Sequence, residues 1–503
     1  MAEPWHRRCS AVPRLPALAA LGAVLVVGVV AGRPTKDASA PVPPAASGPA
    51  AAPPAALSSS WFCAGATDVP RGPAGGRLVL TNAGSRALRA EVTIVPSAGA
   101  SSGLSVQVPA GGRAEVPESV PGGAAWVGAI VTFDGGRATV EQEVSGPLGA
   151  AISPCATAGS PTWYFAAGAT LLNAESTISL LNPYPAPAIV NLSFTTDQGQ
   201  EAPGAFQGLV VPPHGLLAVP LRSHLRRRSF IATTVQASAG EVVAWKTDVV
   251  ARPPKGAPLV GSRAAAAPLA DPASPFVGVT TLPGAPQPST SWMWPDGGTG
   301  PGTDETFELY NPGSATARVL LSVRLDQGTA EPFALTVGPG QVTTLDTSAS
   351  ARIPSGVAYA VRLQSTNGVP VVAERVVTAA PPAVGRGTAE LLGATTAARS
   401  WLIGSDAAGA DRHEILTVAA ASGRPVVVRV SQMVGNRRVT LPGLGGVSVG
   451  GPGPLVVDLG RLGVPVTAPL LVTATAPVVV ARQLVAGGRP GGLTGCLAVP
   501  LVP

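Results

Sequence analysis

From residue 61 to the C-terminus, short stretches of the chain place apolar side chains at every second position, and clusters of Gly, Pro, Asn and Ser break them up. Successive side chains on a strand point to opposite faces, so period-two alternation predicts strands with one face in a core. Residues 90–95, 188–194, 317–325 and 425–432 read this way. Residues 106–117, 209–221, 335–347 and 447–459 read as two strands bent at Gly or Pro. Residues 131–144, 235–250, 361–377 and 472–485 read as a closing hairpin. The pattern predicts an all-β protein.

These segments come in the same order four times. Trp61, Trp163, Trp292 and Trp401 each open a unit, at spacings of 102, 129 and 109 residues. A strand then ends in Asn82-Ala83-Gly84, Asn182-Pro183 or Asn311-Pro312-Gly313, whereas the fourth unit has Ala419-Ala420-Ala421. Asn bonds its own backbone and proline presets φ, so these are turns with a mechanism. Six or seven strands in roughly 100 residues is the size of an immunoglobulin-like sandwich. A propeller blade is shorter, about 40 to 50 residues. The expected fold is a tandem array of immunoglobulin-like β-sandwich repeats over residues 61–158, 159–270, 271–395 and 396–503, each needing its neighbours little. A Pro-rich insertion over residues 251–291 lengthens the second unit.

Residues 15–32 carry no charge and follow Arg7, Arg8 and Arg14. A basic flank before an apolar run keeps the N-terminus in the cytoplasm. Residues 1–14 are therefore expected to be a cytoplasmic N-terminus and residues 15–32 a single transmembrane helix or a signal peptide. Residues 33–60 are rich in Pro, Ala and Ser and read as a semi-rigid spacer unable to pack a core. The expectation is a single-pass protein of the cell membrane with an extracytoplasmic C-terminal region. Secretion after cleavage near Ala31 is the alternative.

Composition narrows the reading further. With 61 Gly and 54 Pro, long soluble helices have little room. The formal charge of +6 is partly local, since Arg7, Arg8, Arg14, Arg33 and Lys36 flank the apolar run against Glu3 and Asp37. Without that stretch, 29 basic and 26 acidic residues remain. A concentrated basic face is lacking and no nucleic acid is expected as a partner.

Candidate chemistry is sparse. Cys9 precedes the apolar run, while Cys63, Cys155 and Cys496 lie beyond it, where disulfides persist. Cys63 and Cys155 bracket the first unit, so their bridge is the economical pairing; Cys496 with either partner is the alternative. His6, His214, His224 and His413 lack metal-ligand spacing, the last three reading as exposed turn residues, and no metal or cofactor is expected. Motifs for a nucleophile elbow, a phosphate loop or a zinc protease are absent. Glu141 and Glu143 lie two apart on one strand face, as a glycosidase uses. Counting along the hairpins sets Ala244 and Lys246, Ala373 and Arg375, or Ala481 and Gln483 beside them, so a solvated face is expected and no cluster of non-repeating polar residues marks one interface. Arg222, Arg226, Arg227 and Arg228 form the densest basic loop, a candidate contact for anionic polymers or lipid headgroups. The unit-opening Trp residues read as core. Trp245 and Trp294 do not recur and are candidate rings for stacking on a glycan.

Trp163-Tyr164-Phe165-Ala166-Ala167-Gly168, the Asn-Pro turns and Val371-Val372-Ala373-Glu374-Arg375 resemble the repeat of secreted, membrane-anchored actinobacterial proteins grouped as domain of unknown function 5719. The resemblance is specific in units two and three and degenerate in one and four. It implies an envelope location and brings no catalytic residues with it. The expected function is a non-catalytic, membrane-tethered structural or binding protein of the cell envelope, with a cell-wall glycan or an envelope protein as partner. Alternatives are an accessory subunit of a glycan- or polymer-transfer machinery and a degenerate hydrolase.

Overall fold

A computed structural model describes residues 48–502 except 172–173, 251–277, 327, 381, 384, 405–411, 451–452, 463–467 and 487–491. The apolar run at residues 15–32 lies outside the described residues, among which no helix is long and apolar enough to cross a membrane.

The first unit has eight strands: β1 (Ser59–Asp68), β2 (Gly75–Asn82), β3 (Leu88–Pro96), β4 (Ser102–Val108), β5 (Arg113–Pro117), β6 (Ala124–Phe133), β7 (Ala138–Gly146) and β8 (Gly149–Pro154). One sheet runs β4-β3-β6-β1 and the other β5-β2-β7-β8, joined by a single parallel bridge between Thr67 and Gly75. Units two and three repeat both orders. In unit four, Leu470–Ala486 serves as β6 and β7 in one long strand, pairing Val426–Val434 with its first half and Arg412–Ala420 with its second. The all-β expectation holds, but the immunoglobulin connectivity does not. In a constant-type immunoglobulin domain the first strand lies beside the second and the last beside the sixth. Here the first strand pairs with the sixth and the seventh with the second.

The opening tryptophans are core residues, at 0 to 3% exposure. In units two to four each indole N–H donates to a carbonyl at the start of the closing hairpin strand: Trp163 to Val242 at 2.7 Å, Trp292 to Val371 at 2.9 Å and Trp401 to Val478 at 3.0 Å. A buried indole needs such an acceptor, and this bond ties the first strand to the hairpin. The turn asparagines make a recurring set of bonds in units one to three. Asn311 Nδ2 donates to the carbonyls of Ala315 and Val337, and Oδ1 accepts from the Gly313 N–H. Asn82 and Asn182 make the same three bonds in their own units.

The units are not beads on a string. The last strand of each, β8, Gly278–Pro283, Gly387–Leu392 and Leu493–Leu497, packs against the corresponding strand of the units before and after it, and the fourth returns to the first. The four sandwiches therefore close into a ring around these strands, contrary to the expectation of independent repeats. Gly278–Pro283 hydrogen-bonds along Val243–Val250, so the second unit extends past the expected boundary at residue 270.

Closure also recruits part of the spacer. Ala51 is 1% exposed, bridges Leu501, and donates its N–H to the Pro500 carbonyl at 3.0 Å. The Ala52 carbonyl accepts from Arg137 N–H at 2.9 Å. Small apolar residues there fit between the first and fourth units, which corrects the expectation that residues 33–60 only space.

Candidate functional site

The ring places one recurring position at each seam. Gln142, Lys246, Arg375 and Arg482 occupy the same ladder position, opposite Leu78, Ile178, Phe307 and Leu416. The residues just before them, Glu141, Trp245, Glu374 and Ala481, are all fully buried. This register corrects the alignment that paired Glu141 with Ala244, and Glu141 lies in the interior rather than on a solvated face. The first strand of units one to three packs against this hairpin in the next unit around the ring, and Gly404, just past the fourth unit's first strand, lies against Glu141 of the first unit.

Each seam is filled differently. Between units one and two, Trp245 lies over Gly65, where an added Cβ would stand 2.4 Å from the indole nitrogen. Only glycine fits there. The Trp245 N–H donates to Thr281 Oγ1 at 2.6 Å. Between units two and three, Glu374 accepts from Ala166 N–H at 2.8 Å and from Lys246 Nζ at 2.9 Å. Between units four and one, Glu141 accepts from Arg482 Nη2 at 2.9 Å, and Arg482 also pairs with Glu414 at 3.4 Å.

The seam between units two and three is the most heavily charged. Lys246 Nζ has Glu390 at 3.0 Å and Asp248 at 3.6 Å besides Glu374, all essentially buried. Burial pulls the Lys246 ammonium down, but the carboxylates outweigh it and hold its pKa above the ordinary value. Burial, then Glu390, push the Asp248 carboxyl up against the pull of Lys246. Unpaired, such charges would not be tolerated inside a protein.

The seam between units three and four has neither a Trp nor a Glu at that position. Ala481 stands there, and Asp296 replaces Gly65 and Ala167 at the fourth residue after the opening Trp. A cleft of about 400 Å³ opens beside it. Asp296, Thr303 and Val377 contribute one wall; His413, Asp458 and Gln483 contribute the other. Asp296 Oδ2 pairs with Arg375 Nη1 at 2.9 Å, and its side chain is 6% exposed. Its Oδ1 is buried and has no hydrogen-bond partner among the described residues. Arg375 also donates to the Asp296 carbonyl at 2.7 Å and to the Glu305 carboxyl, which receives the Tyr359 hydroxyl as well. Burial lowers the Arg375 pKa, but Asp296 and Glu305 raise it further, so the guanidinium is a fixed cation. Across the cleft, His413 Nδ1 stands 3.6 Å from Asp458 Oδ2, which Arg461 Nε approaches at 3.0 Å.

These residues are a non-repeating polar cluster at one interface, where the sequence predicts none. The signal was present: aligning the four segments from their tryptophans sets Asp296 against Gly65 and Ala167. His413 also departs from expectation, lying on a strand at the cleft rather than in a turn.

The other candidate residues fall elsewhere. Trp245 and Trp294 are 0% exposed, so neither presents a face to a glycan. Both are spent on packing: Trp245 fills a seam, while Trp294 sits edge-on to Phe307 and donates to the Leu391 carbonyl at 3.2 Å. In the basic loop, Arg228 donates from Nε and Nη2 to both Glu201 oxygens, and Arg222 lies 4.0 Å from Glu175. Arg226 and Arg227 are exposed. Cys63 and Cys155 form a disulfide, and Cys496 is a buried free thiol that burial pushes up to about 12.

Two further recesses are present. One of about 90 Å³, at the ring centre, is bordered by Ser153, Thr281, Glu390 and Cys496 and by Gly48 and Pro49 of the spacer. The other, of about 470 Å³ between units four and one, is lined by Arg77 and Glu143, which pair with each other at 2.5 Å.

No curated protein matches the chain. Among solved structures, the Thermotoga maritima 1070 protein is similar at 19% identity and a TM-score of 0.20, covering 21% of this chain and 94% of that one. The Anabaena sensory rhodopsin transducer is similar at 24% identity and a TM-score of 0.16, covering 18% and 88%. Residues 134–383 match the family model described as a family of unknown function, DUF5719.

Proposed function

We propose that this protein is a non-catalytic binding or structural module of the bacterial cell envelope, tethered at the cytoplasmic membrane by residues 15–32. The observation that carries the reading is the cleft between units three and four. Where the other seams place Trp245, Glu374 or Glu141, this one carries Ala481 and leaves a polar recess bordered by Asp296, whose buried Oδ1 has no hydrogen-bond partner among the described residues. The Cys63–Cys155 bridge supports an oxidising compartment, because cytosolic thiols are kept reduced. The basic flank and the apolar run support the tether.

Affinity capture of the full chain under mild crosslinking, read for proteins and glycans, tests the proposal. A chain starting at residue 48 is the control, because residues 48–58 belong to the ring. Reproducible recovery of an envelope polymer or envelope protein is expected, together with no turnover of ester, peptide or glycoside substrates. Among the described residues, the His413–Asp458 pair is the foothold for a hydrolase. Turnover that disappears in His413→Ala would overturn the non-catalytic reading.

A further inference from the structure

We infer that the cleft between units three and four binds a neutral, hydroxyl-rich ligand, a saccharide chain, through hydrogen bonds rather than aromatic stacking. This rests on the reading of the ring as a binding module and names the ligand class of its cleft.

Charge argues first. The lining holds Asp296 and Asp458 against Arg375 and Arg461, so its formal charges cancel. Arg375 is occupied by Asp296 and Glu305, and Asp458 by Arg461 and the Gly460 N–H. Among the described lining residues each arginine is held by a carboxylate and each carboxylate by an arginine, so a charged ligand finds no unpaired opposite charge there. Recognition of a charged ligand needs one, because the ligand's own desolvation is otherwise uncompensated.

Hydrogen-bonding capacity argues second. Asp296 Oδ1 lacks a donor, and a buried acceptor without one is costly. Thr303, Thr417 and Gln483 on the lining both donate and accept. A hydroxyl is the ligand group that answers both needs, giving a proton to the carboxylate and taking one from an amide or another hydroxyl.

Shape argues third. Val377, Val485 and Leu493 supply an apolar surface for the C–H face of a sugar ring, and the volume of about 400 Å³ is that of a small-molecule site. Among the described residues no Trp, Tyr or Phe lines the cleft. Binding therefore depends on the polar groups, and on Asp296 most of all.

The test titrates the full chain by calorimetry with four trisaccharide probes: chitotriose and maltotriose, both neutral, the cationic trimer of glucosamine, and the anionic trimer of galacturonic acid. A neutral probe is expected to bind. Asp296→Asn should weaken it roughly tenfold or more, the loss of one hydrogen bond to a charged group. Gln483→Trp should abolish it by filling the cleft, with Thr417→Val as the milder variant if the first fails to fold. Binding of the charged probes alone, or of none of the four, overturns the ligand class. Neutral binding indifferent to all three variants overturns the site. The capture experiment then decides separately whether the binding-module reading stands, since a recovered protein partner would preserve it.

Discussion

Arg482 and Glu141 lie 341 residues apart in the chain and 2.9 Å apart in the fold, both out of contact with water. That pair joins the last unit to the first, and Lys246 with Glu374 does the same for the second and third. The ring therefore has two seams locked by buried ions and two without a cross-unit ion pair at this position.

Removing one partner of a buried pair leaves the other charged and unsolvated. Arg482→Met should destabilise the protein by about 3 to 5 kcal/mol, because Glu141 and Glu414 both lose their cation. The double variant Arg482→Met with Glu141→Leu should recover much of that loss. Urea midpoints of the three proteins check this, and strictly additive losses would show that the pair is not coupled.

Glu118 gives the stability a pH dependence of known sign. It is 2% exposed, and burial raises its pKa to about 8 against the hydrogen bonds that Gln142 donates. The Gly65 N–H bonds Gln142 Oε1, which fixes the amide so that Nε2 faces Glu118. The folded state thus holds a proton that the unfolded chain releases near pH 4.5. This contribution is intact below that pH and is lost as pH rises toward 8, at no more than about 1.4 kcal/mol per unit. Glu118→Gln, which mimics the protonated form, should melt progressively higher than wild type from pH 5 to 8. Parallel melting curves over that range would refute it.

The spacer's last residues should behave as a clasp. A chain starting at residue 59 should melt below one starting at residue 48, since it lacks the Ala51 and Ala52 bonds to the fourth and first units. Ala51→Asp should do comparable harm by burying an unpaired carboxylate. Equal melting temperatures for the two truncations would mean that the clasp contributes nothing.

Asn311 makes three backbone bonds from a fully buried side chain. Asn311→Ala should cost about 2 to 4 kcal/mol by leaving the Ala315 and Val337 carbonyls and the Gly313 N–H unsatisfied. Thermal denaturation reads the loss. The fourth unit does without this device, so the reverse change, Ala420→Asn, should not stabilise unless the matching carbonyls are placed to receive it.

The disulfide and the free thiol should differ sharply in chemistry. Cys63→Ser should cost about 2 to 5 kcal/mol, as the bridge closes a loop of 92 residues. Cys496 should resist iodoacetamide in the folded protein and react once urea is added, because the thiol is buried and held protonated. Rapid labelling of the native protein would contradict this.

Several features were legible in the residues themselves. Period-two alternation gave the strands, the recurring tryptophans gave four units, and the Asn turns gave their second landmark, because each depends on local geometry that neighbouring residues dictate. The Cys63–Cys155 pairing followed from two cysteines bracketing one unit. The closure of those units into a ring was not legible, since seam contacts such as Arg482 with Glu141 join residues that no local pattern connects. Strand register decided the rest. A shift of one residue moves a side chain to the opposite face of a sheet, which is why counting along the hairpin put Glu141 in solvent and the ladder puts it in the interior. Trp245 and Trp294 look alike in sequence to ligand-facing rings, yet packing buries both. Asp296 differs by one substitution from Gly65, and only the tertiary structure sets it across a cleft from His413, Asp458 and Gln483, because those walls come from two units that no local pattern connects.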